Sequence, residues 1–224
     1  MSRVIEAVVF DLDGLLVDSE PIQIAAWRQF LSAYDRVLDD QLLSEMFGLR
    51  VRDSSRLVAE RLNLPLAPSE IMAGRDQVFF ELLHGNVRPM PGAIELIAQL
   101  NELGVKLGLA TSGHRRYVSI VLKELSLDRT FQAEVTSDDI ERGKPAPDIY
   151  LEAARKLGVE PARCVALEDA PLGIASAIAA GMYCLAVPNE QTQSLPGLER
   201  ATAAVASLHD ALPWLKARQL VTGR

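Results

Sequence analysis

Two apolar, strand-like segments of this chain each end in a pair of acidic residues. Asp11 and Asp13 follow residues 4–10, and Glu168 and Asp169 end a second apolar segment further along the chain. Carboxylates at the end of a buried strand are unfavourable unless a cation or a proton compensates their charge. Mg²⁺ is such a cation, because it binds one or two carboxylates together with water and phosphate oxygens. Each pair taken alone also fits a simpler structure, an Asx turn or a helix cap.

A hydroxyl-rich turn and a lysine lie between the two acidic pairs. Thr111, Ser112 and Gly113 follow an apolar segment, and hydroxyl and backbone N–H groups at such a turn can hold phosphate oxygens; a helix cap is the alternative. Lys144 precedes Pro145 in a proline-flanked turn, whose fixed backbone could direct the ammonium group at a phosphate. Most lysines are simply solvated. The four segments together nevertheless predict a site for Mg²⁺ and a phosphate group.

Strand-like and helical segments alternate along most of the chain, which is typical of α/β folds. The predicted strands are residues 4–10, 105–110, 133–136, 163–167, 183–187 and 203–206. The predicted helices among them are residues 91–103, 147–157 and 171–180, each followed by a glycine that can end it. Because parallel strands are joined by right-handed crossovers, this pattern predicts a doubly wound, Rossmann-like parallel sheet.

One interval contains no convincing strand. Its amphipathic helical segments are residues 21–34, 39–47, 52–62 and 69–83. A single crossover needs only about a dozen residues, so we expect an inserted all-helical cap at residues 18–88 and an α/β core at residues 1–17 and 89–224. An insertion directly after the first acidic pair would lie over the carboxyl ends of the strands, where open α/β sheets bind their ligands.

Charge and composition limit the partners and the compartment. The net charge of −7 and the pI near 5.1 argue against nucleic acid or an anionic membrane as a partner. Cys164 and Cys184 lie in apolar segments without a C-x-x-C motif, which is typical of reduced core cysteines in the cytoplasm. The sequence shows no secretory signal and no apolar run near the roughly 20 residues of a membrane helix. We expect a cytoplasmic monomer.

The four segments in this order and spacing, with the insertion after the first, resemble the haloacid dehalogenase superfamily. The resemblance covers nearly the whole chain and is strongest to phosphatases with a small helical cap, in the β-phosphoglucomutase and 2-deoxyglucose-6-phosphate phosphatase branch. It implies that Asp11 is the nucleophile that forms an aspartyl phosphate, and that Asp13 is the general acid and base. It also implies that Thr111, the N–H of Ser112, and Lys144 neutralise the phosphoryl oxygens.

The same resemblance implies a metal site and a set of substrate contacts. Mg²⁺ would be held by Asp11, the backbone carbonyl of Asp13 and Asp169, with Glu168 in or next to its ligand shell. The weaker candidates for substrate contacts are Ser112, Gly113, His114, Arg115, Glu20, Gln23 and Arg50. For the charged residues of this set, a solvated helix surface is the alternative.

The resemblance implies a Mg²⁺-dependent phosphatase that acts on a small phosphate ester, a sugar or polyol phosphate. A β-phosphoglucomutase-type isomerase is the alternative on the same site, and a response-regulator receiver is a third hypothesis that the helical insertion argues against. The β-phosphoglucomutases carry a histidine that restrains the acid/base and an arginine that grips the distal phosphate. These positions fall on Gln23 and on or beside Val51, so the sequence favours hydrolysis.

Overall fold

The computed structural model describes residues 4–46, 49, 51–218 and 220. Its strands are β1 (Ala7–Phe10), β2 (Lys106–Ala110), β3 (Ala133–Val135), β4 (Cys164–Glu168), β5 (Tyr183–Ala186) and β6 (Ala203–Ala204). Its helices are α1 (Glu20–Ser32), α2 (Asp40–Met46), α3 (Val51–Leu62), α4 (Pro68–Leu83), α5 (Ala93–Glu102), α6 (Arg115–Glu124), α7 (Asp148–Leu157), α8 (Pro171–Ala179) and α9 (Ala211–Lys216). Short 3-10 turns lie at Ser137–Asp139, Pro161–Arg163, Leu198–Arg200 and Leu208–Asp210.

Within the described residues the strands form one parallel sheet in the order β3-β2-β1-β4-β5-β6. The predicted doubly wound α/β sheet is therefore confirmed. The strand order reverses between β1 and β4, and such a reversal opens a crevice at the carboxyl ends of the strands. In the register of the central strands, Phe10 lies beside Leu109 on one side and Leu167 on the other. The residues that follow Phe10 and Leu167 therefore reach the same edge of the sheet.

Two helices, α6 and α9, lie outside the helical segments that the sequence predicts. In α6, Val118, Ile120 and Val121 have branched side chains that lower helix propensity. Burial of one face, which includes Tyr117 and Leu122, stabilises the helix nevertheless. Tertiary packing thus overrides the local propensity here.

One face of the sheet is covered by α7 and α8, which pack small and aliphatic side chains against it. The shared core comprises Ala7, Val9, Ala110, Ala133, Val135, Ile149, Tyr150, Ala153, Ala154, Leu157, Val159, Cys164, Ala166, Ile174, Ala177, Ala180, Met182, Cys184 and Ala186. Both cysteines are free and buried, in agreement with the sequence prediction of reduced core residues. The alanines let the helices approach the sheet closely, and this brings α7 and α8 near the end of β4.

The chain divides into two compact units. One contains the described residues up to Asp18 and from Val87 onward, and it is built on the sheet; the other spans residues 19–86 and contains α1 to α4. The helical unit has a core of its own, made of Trp27, Phe30, Leu31, Leu38, Leu42, Met46, Val58, Leu64 and Ile71. Among the described residues, no helix combines the length and the apolar character needed to cross a bilayer.

The start of α8 comes into close contact with the last residue of β4. A Cβ atom added at Gly173 would lie 1.8 Å from Oε1 and 2.0 Å from Cδ of Glu168. Glu168 and Gly173 are both buried, so neither can move into solvent to relieve such a contact. Glycine at this position therefore allows the Glu168 carboxylate to lie against the first turn of the helix.

We predict that Gly173→Ala lowers the free energy of unfolding by about 1–3 kcal/mol, as overpacking of a buried site does. This loss should appear although alanine has the higher helix propensity, by up to about 1 kcal/mol. Urea denaturation of the metal-free protein measures it. Gly143→Ala is the matched control, because a Cβ at Gly143 meets nothing within 4 Å. A Gly173→Ala protein as stable as the wild type would show that Glu168 can move.

Candidate active site

The turn after β1 carries the first acidic pair. The amide N–H of Asp11 donates to the carbonyl of Leu167 at 3.0 Å, so the parallel pairing with β4 continues one residue past β1. The chain then turns, with the N–H of Gly14 donating to the carbonyl of Val17 at 2.9 Å. Gly14 has φ +77°, and a Cβ there would lie 2.4 Å from Oδ2 of Asp169. Glycine thus permits both the turn and the approach of the second acidic pair.

A buried lysine links the two acidic pairs. Lys144 Nζ donates to Asp11 Oδ1 and to Glu168 Oε1, each at 2.6 Å, and the lysine side chain is only 8% exposed. The hydroxyl of Tyr150, a residue of α7, donates to the same Glu168 oxygen at 2.6 Å. Lys144 Nζ also lies 5.2 Å from the centroid of the Tyr150 ring. These four side chains form one connected network at the carboxyl ends of β1 and β4.

The carboxylates of Asp11, Glu168 and Asp169 converge on one point. Each offers an oxygen atom within 4.8 Å of those of the other two. Burial raises the pKa of Asp11 to about 7, although the charge of Lys144 opposes the shift. Burial and the charge of Glu168 raise the pKa of Asp169 to about 8. One ammonium group therefore does not compensate the charge of all three carboxylates.

Asn189, in the loop after β5, fixes the second acidic pair against the first turn. Its Nδ2 donates to Oδ2 of Asp169 at 2.9 Å and to the carbonyl of Gly14 at 3.0 Å. Its Oδ1 accepts from the N–H of Thr192 at 3.0 Å, which holds the amide in this orientation. No motif in the sequence marks Asn189, because an asparagine after a strand is ordinary turn chemistry.

The hydroxyl turn lies at the end of β2, beside β3. Thr111 is buried, its N–H donates to the carbonyl of Val135 at 3.0 Å, and its Oγ1 accepts from the N–H of Gly113 at 3.0 Å. The helix cap considered as an alternative is not formed, because the N-cap of α6 is His114 and the Thr111 oxygen binds within the turn. The accepting role leaves the Thr111 O–H available as a donor.

Asp13 is held by a residue that the sequence prediction missed. The hydroxyl of Tyr117, in the first turn of α6, donates to Oδ1 of Asp13. A Cβ at Gly113 would lie 2.7 Å from Cδ1 of Tyr117, so the ring packs directly on the hydroxyl turn. Tyr117 was not found from the sequence because α6 itself was not predicted as a helix.

Two of the predicted substrate contacts lie beside an acidic 3-10 turn instead of the carboxylate cluster. Nδ1 of His114 is 2.8 Å from Oδ1 of Asp138 and 3.1 Å from Oγ of Ser137. Arg115 forms an ion pair with Asp139, and its N–H donates to Oδ2 of Asp138 at 2.9 Å. Both side chains are exposed. Their assignment to the substrate stays a prediction.

Ser112 and Gly113 lie in the hydroxyl turn of the sheet unit, and the other three predicted contacts belong to the helical unit or fall outside the described residues. Glu20 is the first residue of α1 and is half-buried. Oε1 of Gln23 accepts a hydrogen bond from Arg75 of α4, which is 1% exposed and stacks 4.5 Å from the ring centroid of Phe79. Arg50 lies outside the described residues. The side chain of Gln23 is therefore hydrogen-bonded within its own unit, to the guanidinium group of the buried Arg75.

Comparisons with known proteins agree with this geometry. A family model for haloacid dehalogenase-like hydrolases matches residues 5–181. A phosphorylated carbohydrates phosphatase from Thermotoga maritima is 31% identical, with 95% of this chain and 91% of that protein covered. A β-phosphoglucomutase from Bacillus subtilis is also 31% identical, with 83% and 84% covered. The crystal structure of CbbY from Rhodobacter sphaeroides in complex with phosphate superimposes with a TM-score of 0.78 at 28% identity, covering 92% of this chain and 95% of that one.

The matched region includes the parts of the chain that build the site. Residues 5–181 contain the two acidic pairs, the hydroxyl turn and the lysine, together with the helical insertion. The match to the phosphatase and the match to the mutase both extend over most of each protein. This chain therefore belongs to the haloacid dehalogenase-like hydrolases.

Proposed function

We propose that this hydrolase is a Mg²⁺-dependent phosphatase that hydrolyses a small sugar or polyol phosphate through an aspartyl phosphate on Asp11. The family match and a phosphatase among the relatives support the enzyme class, a phosphoric monoester hydrolase. The observation that carries the proposal is the arrangement of Asp11, which is buried at the end of β1, paired with Lys144 and next to two further carboxylates. This is a carboxylate nucleophile in surroundings that can accept an anion once a cation is bound.

The carboxylate cluster fits a hard divalent cation. Its donors are carboxylate oxygens, which suit Mg²⁺, and burial together with neighbouring carboxylates raises the pKa values of Asp11 and Asp169, which supports the binding of a positive charge here. Asp11, Asp169 and the carbonyl of Asp13 would hold the ion, with Glu168 beside it and bound to Lys144. When bound, the ion would reduce the repulsion between a carboxylate nucleophile and a phosphate dianion.

In the proposed reaction, different residues of the sheet unit carry out the nucleophilic attack, the stabilisation of charge and the proton transfers. Asp11 attacks phosphorus, so a bond forms from its carboxylate oxygen to phosphorus while the bond to the substrate oxygen breaks. Lys144 and the hydroxyl of Thr111 stabilise the phosphoryl oxygens, and the N–H of Ser112 adds a third donor. Asp13 gives a proton to the departing oxygen, then takes one from the water that attacks the phosphorus of the aspartyl phosphate.

The engagement of Gln23 supports hydrolysis over mutase chemistry. An amide cannot become cationic as the histidine of the β-phosphoglucomutases can, and Oε1 of Gln23 already accepts from Arg75 inside the helical unit. A restraint of the acid/base by a positive charge at this position is therefore lost. We also propose that the helical unit, residues 19–86, serves as the cap that selects the substrate.

Replacing Asp11 tests the nucleophile. Asp11→Asn should lower the hydrolysis of p-nitrophenyl phosphate by about a thousandfold or more, because an amide is a poor nucleophile of nearly the same shape. Circular dichroism should show an unchanged fold. Asp128→Asn, a substitution of an exposed aspartate, is the matched control and should leave the rate unchanged. A folded Asp11→Asn protein that keeps more than a few percent of the activity would contradict the assignment.

Removal of divalent cations tests the metal. Activity should fall to background after exhaustive chelation, return on addition of Mg²⁺ and not return with Ca²⁺, whose larger coordination sphere relaxes the octahedral geometry. Steady-state assays on chelated protein, titrated with each ion in turn, measure this. Full activity in the chelated protein would exclude a metal-dependent reaction.

The raised pKa values also predict how the metal-free protein responds to pH. The folded state keeps protons on Asp11 and Asp169 up to about pH 7 and 8, whereas the unfolded chain releases them near the ordinary value of 3.8. Since the folded state binds more protons, these groups lower the free energy of unfolding as the pH rises between these limits. Asp169→Asn removes one of them and should raise the Tm at pH 8, relative to wild type, more than at pH 5.

Thermal denaturation in the presence of a chelator, with both proteins at both pH values, measures this difference. The sign follows because the substitution removes a buried carboxyl that must ionise as the pH rises. Addition of Mg²⁺ should stabilise the wild type at pH 8 more than the variant, because binding to the folded state raises its stability. An Asp169→Asn protein that is destabilised equally at both pH values would contradict the raised pKa.

A further inference from the structure

Tyr117 connects α6 to the turn that carries Asp13. Its side chain is 6% exposed, and its hydroxyl donates to Oδ1 of Asp13 across 104 residues of sequence, with both residues in the sheet unit. We propose that Tyr117 is a positioning residue that holds the carboxyl group of Asp13 in place for both of its proton transfers. This inference rests on the proposed function, since it requires Asp13 to be the acid and base.

The local sequence fixes where the Tyr117 ring lies. At Gly113 a Cβ atom would be 2.7 Å from Cδ1 and 3.2 Å from Cε1 of the ring, so only a residue without a side chain lets the ring pack on the hydroxyl turn. The start of α6 is anchored as well, because the N–H of Arg115 donates to Oδ2 of Asp138 at 2.9 Å. The phenol group that donates to Asp13 is therefore held in place by the packing of its ring on Gly113 and by the anchored start of α6.

Asp13 is held through its backbone by a bridge to Val17, which does not by itself set the orientation of its side chain. Asp13 is half-buried and directly precedes Gly14 with φ +77°, and its χ1 has three staggered wells while its χ2 is broad. A donor on Oδ1 selects one orientation and directs Oδ2, the atom that would carry the proton, in a defined direction. Proton transfer requires this, because donor and acceptor must lie within hydrogen-bond distance in the transition state.

Asp13 has a different role in each of the two half-reactions. In the first, Asp11 displaces the leaving oxygen, and Oδ2 of Asp13 gives up its proton to that oxygen as the bond to phosphorus breaks. In the second, Oδ2 takes a proton from water while the water oxygen bonds to phosphorus and the bond to Asp11 breaks. p-Nitrophenolate leaves without protonation, so with this substrate only the second half-reaction depends on Asp13 and on Tyr117.

The test is Tyr117→Phe, which keeps the ring on Gly113 and removes only the hydroxyl. Rapid quench with p-nitrophenyl phosphate and Mg²⁺, followed by mass spectrometry of the intact protein, measures formation and decay of the phosphorylated enzyme. We expect formation at the wild-type rate and decay that is about tenfold slower, part of the 10²–10⁴-fold that general acid–base catalysis supplies. Tyr183→Phe, at the opposite end of β5 from the site, is the matched control and should match the wild type.

A double-mutant cycle separates positioning from a structural effect. In the Asp13→Asn background, Tyr117→Phe should not slow the decay further, because the two residues act as one unit. Wild-type decay in Tyr117→Phe, equal slowing of formation and decay, or additional slowing in the Asp13→Asn background would each overturn the inference. If the wild-type enzyme turns over without any phosphorylated form, and Asp11→Asn stays active, the proposed function itself fails.

Discussion

The contact of Lys144 with Asp11 and Glu168 is the interaction on which the rest of the site depends. It is buried, and both distances are 2.6 Å, so the ammonium group holds the carboxylates of Asp11 and Glu168 close to each other. An ion pair of this kind stabilises little by itself, because desolvation offsets most of the attraction. Its effect is to hold two carboxylates in a fixed geometry at a point where a third, Asp169, adds more negative charge. Three carboxylates thus lie beside one ammonium group, which leaves an excess of negative charge at this edge of the sheet.

Residues from several separate elements of the fold maintain this arrangement of carboxylates. Glycines at positions 14 and 173 remove the side chains that would collide with Asp169 and Glu168. Tyr150 from α7 and Asn189 from the loop after β5 donate hydrogen bonds to the same two carboxylates. The parallel register of the sheet brings all of these elements to one edge. Hydrogen bonds from Tyr150 and Asn189 therefore hold Glu168 and Asp169 in place against the electrostatic repulsion between their carboxylates.

The sequence predicted the parallel sheet, which is confirmed, and it did not identify the residues that support the acidic pairs. Strands buried on both faces are apolar runs, and acids that end them stand out. Tyr117, Tyr150 and Asn189 gave no such signal, because their polar atoms matter only once tertiary packing brings them to a carboxylate. The hydrogen bond between Gln23 and the buried Arg75 was also not evident from the sequence, and the predicted contact of Gln23 with substrate stays a prediction. Local sequence patterns identify functional residues whose spacing along the chain is characteristic. They do not predict contacts between residues that are distant in sequence.

In the proposed reaction the Asp11 carboxylate carries the phosphoryl group during turnover. The most direct measurement is a rapid quench of the enzyme with p-nitrophenyl phosphate and Mg²⁺, borohydride reduction of the acyl phosphate, and mass spectrometry of the peptide that contains residues 4–18. Reduction of an aspartyl phosphate gives homoserine, so we expect homoserine at position 11 only in samples that received substrate. Release of phosphate without homoserine at position 11, or with homoserine at another aspartate, would exclude Asp11 as the phosphorylated residue.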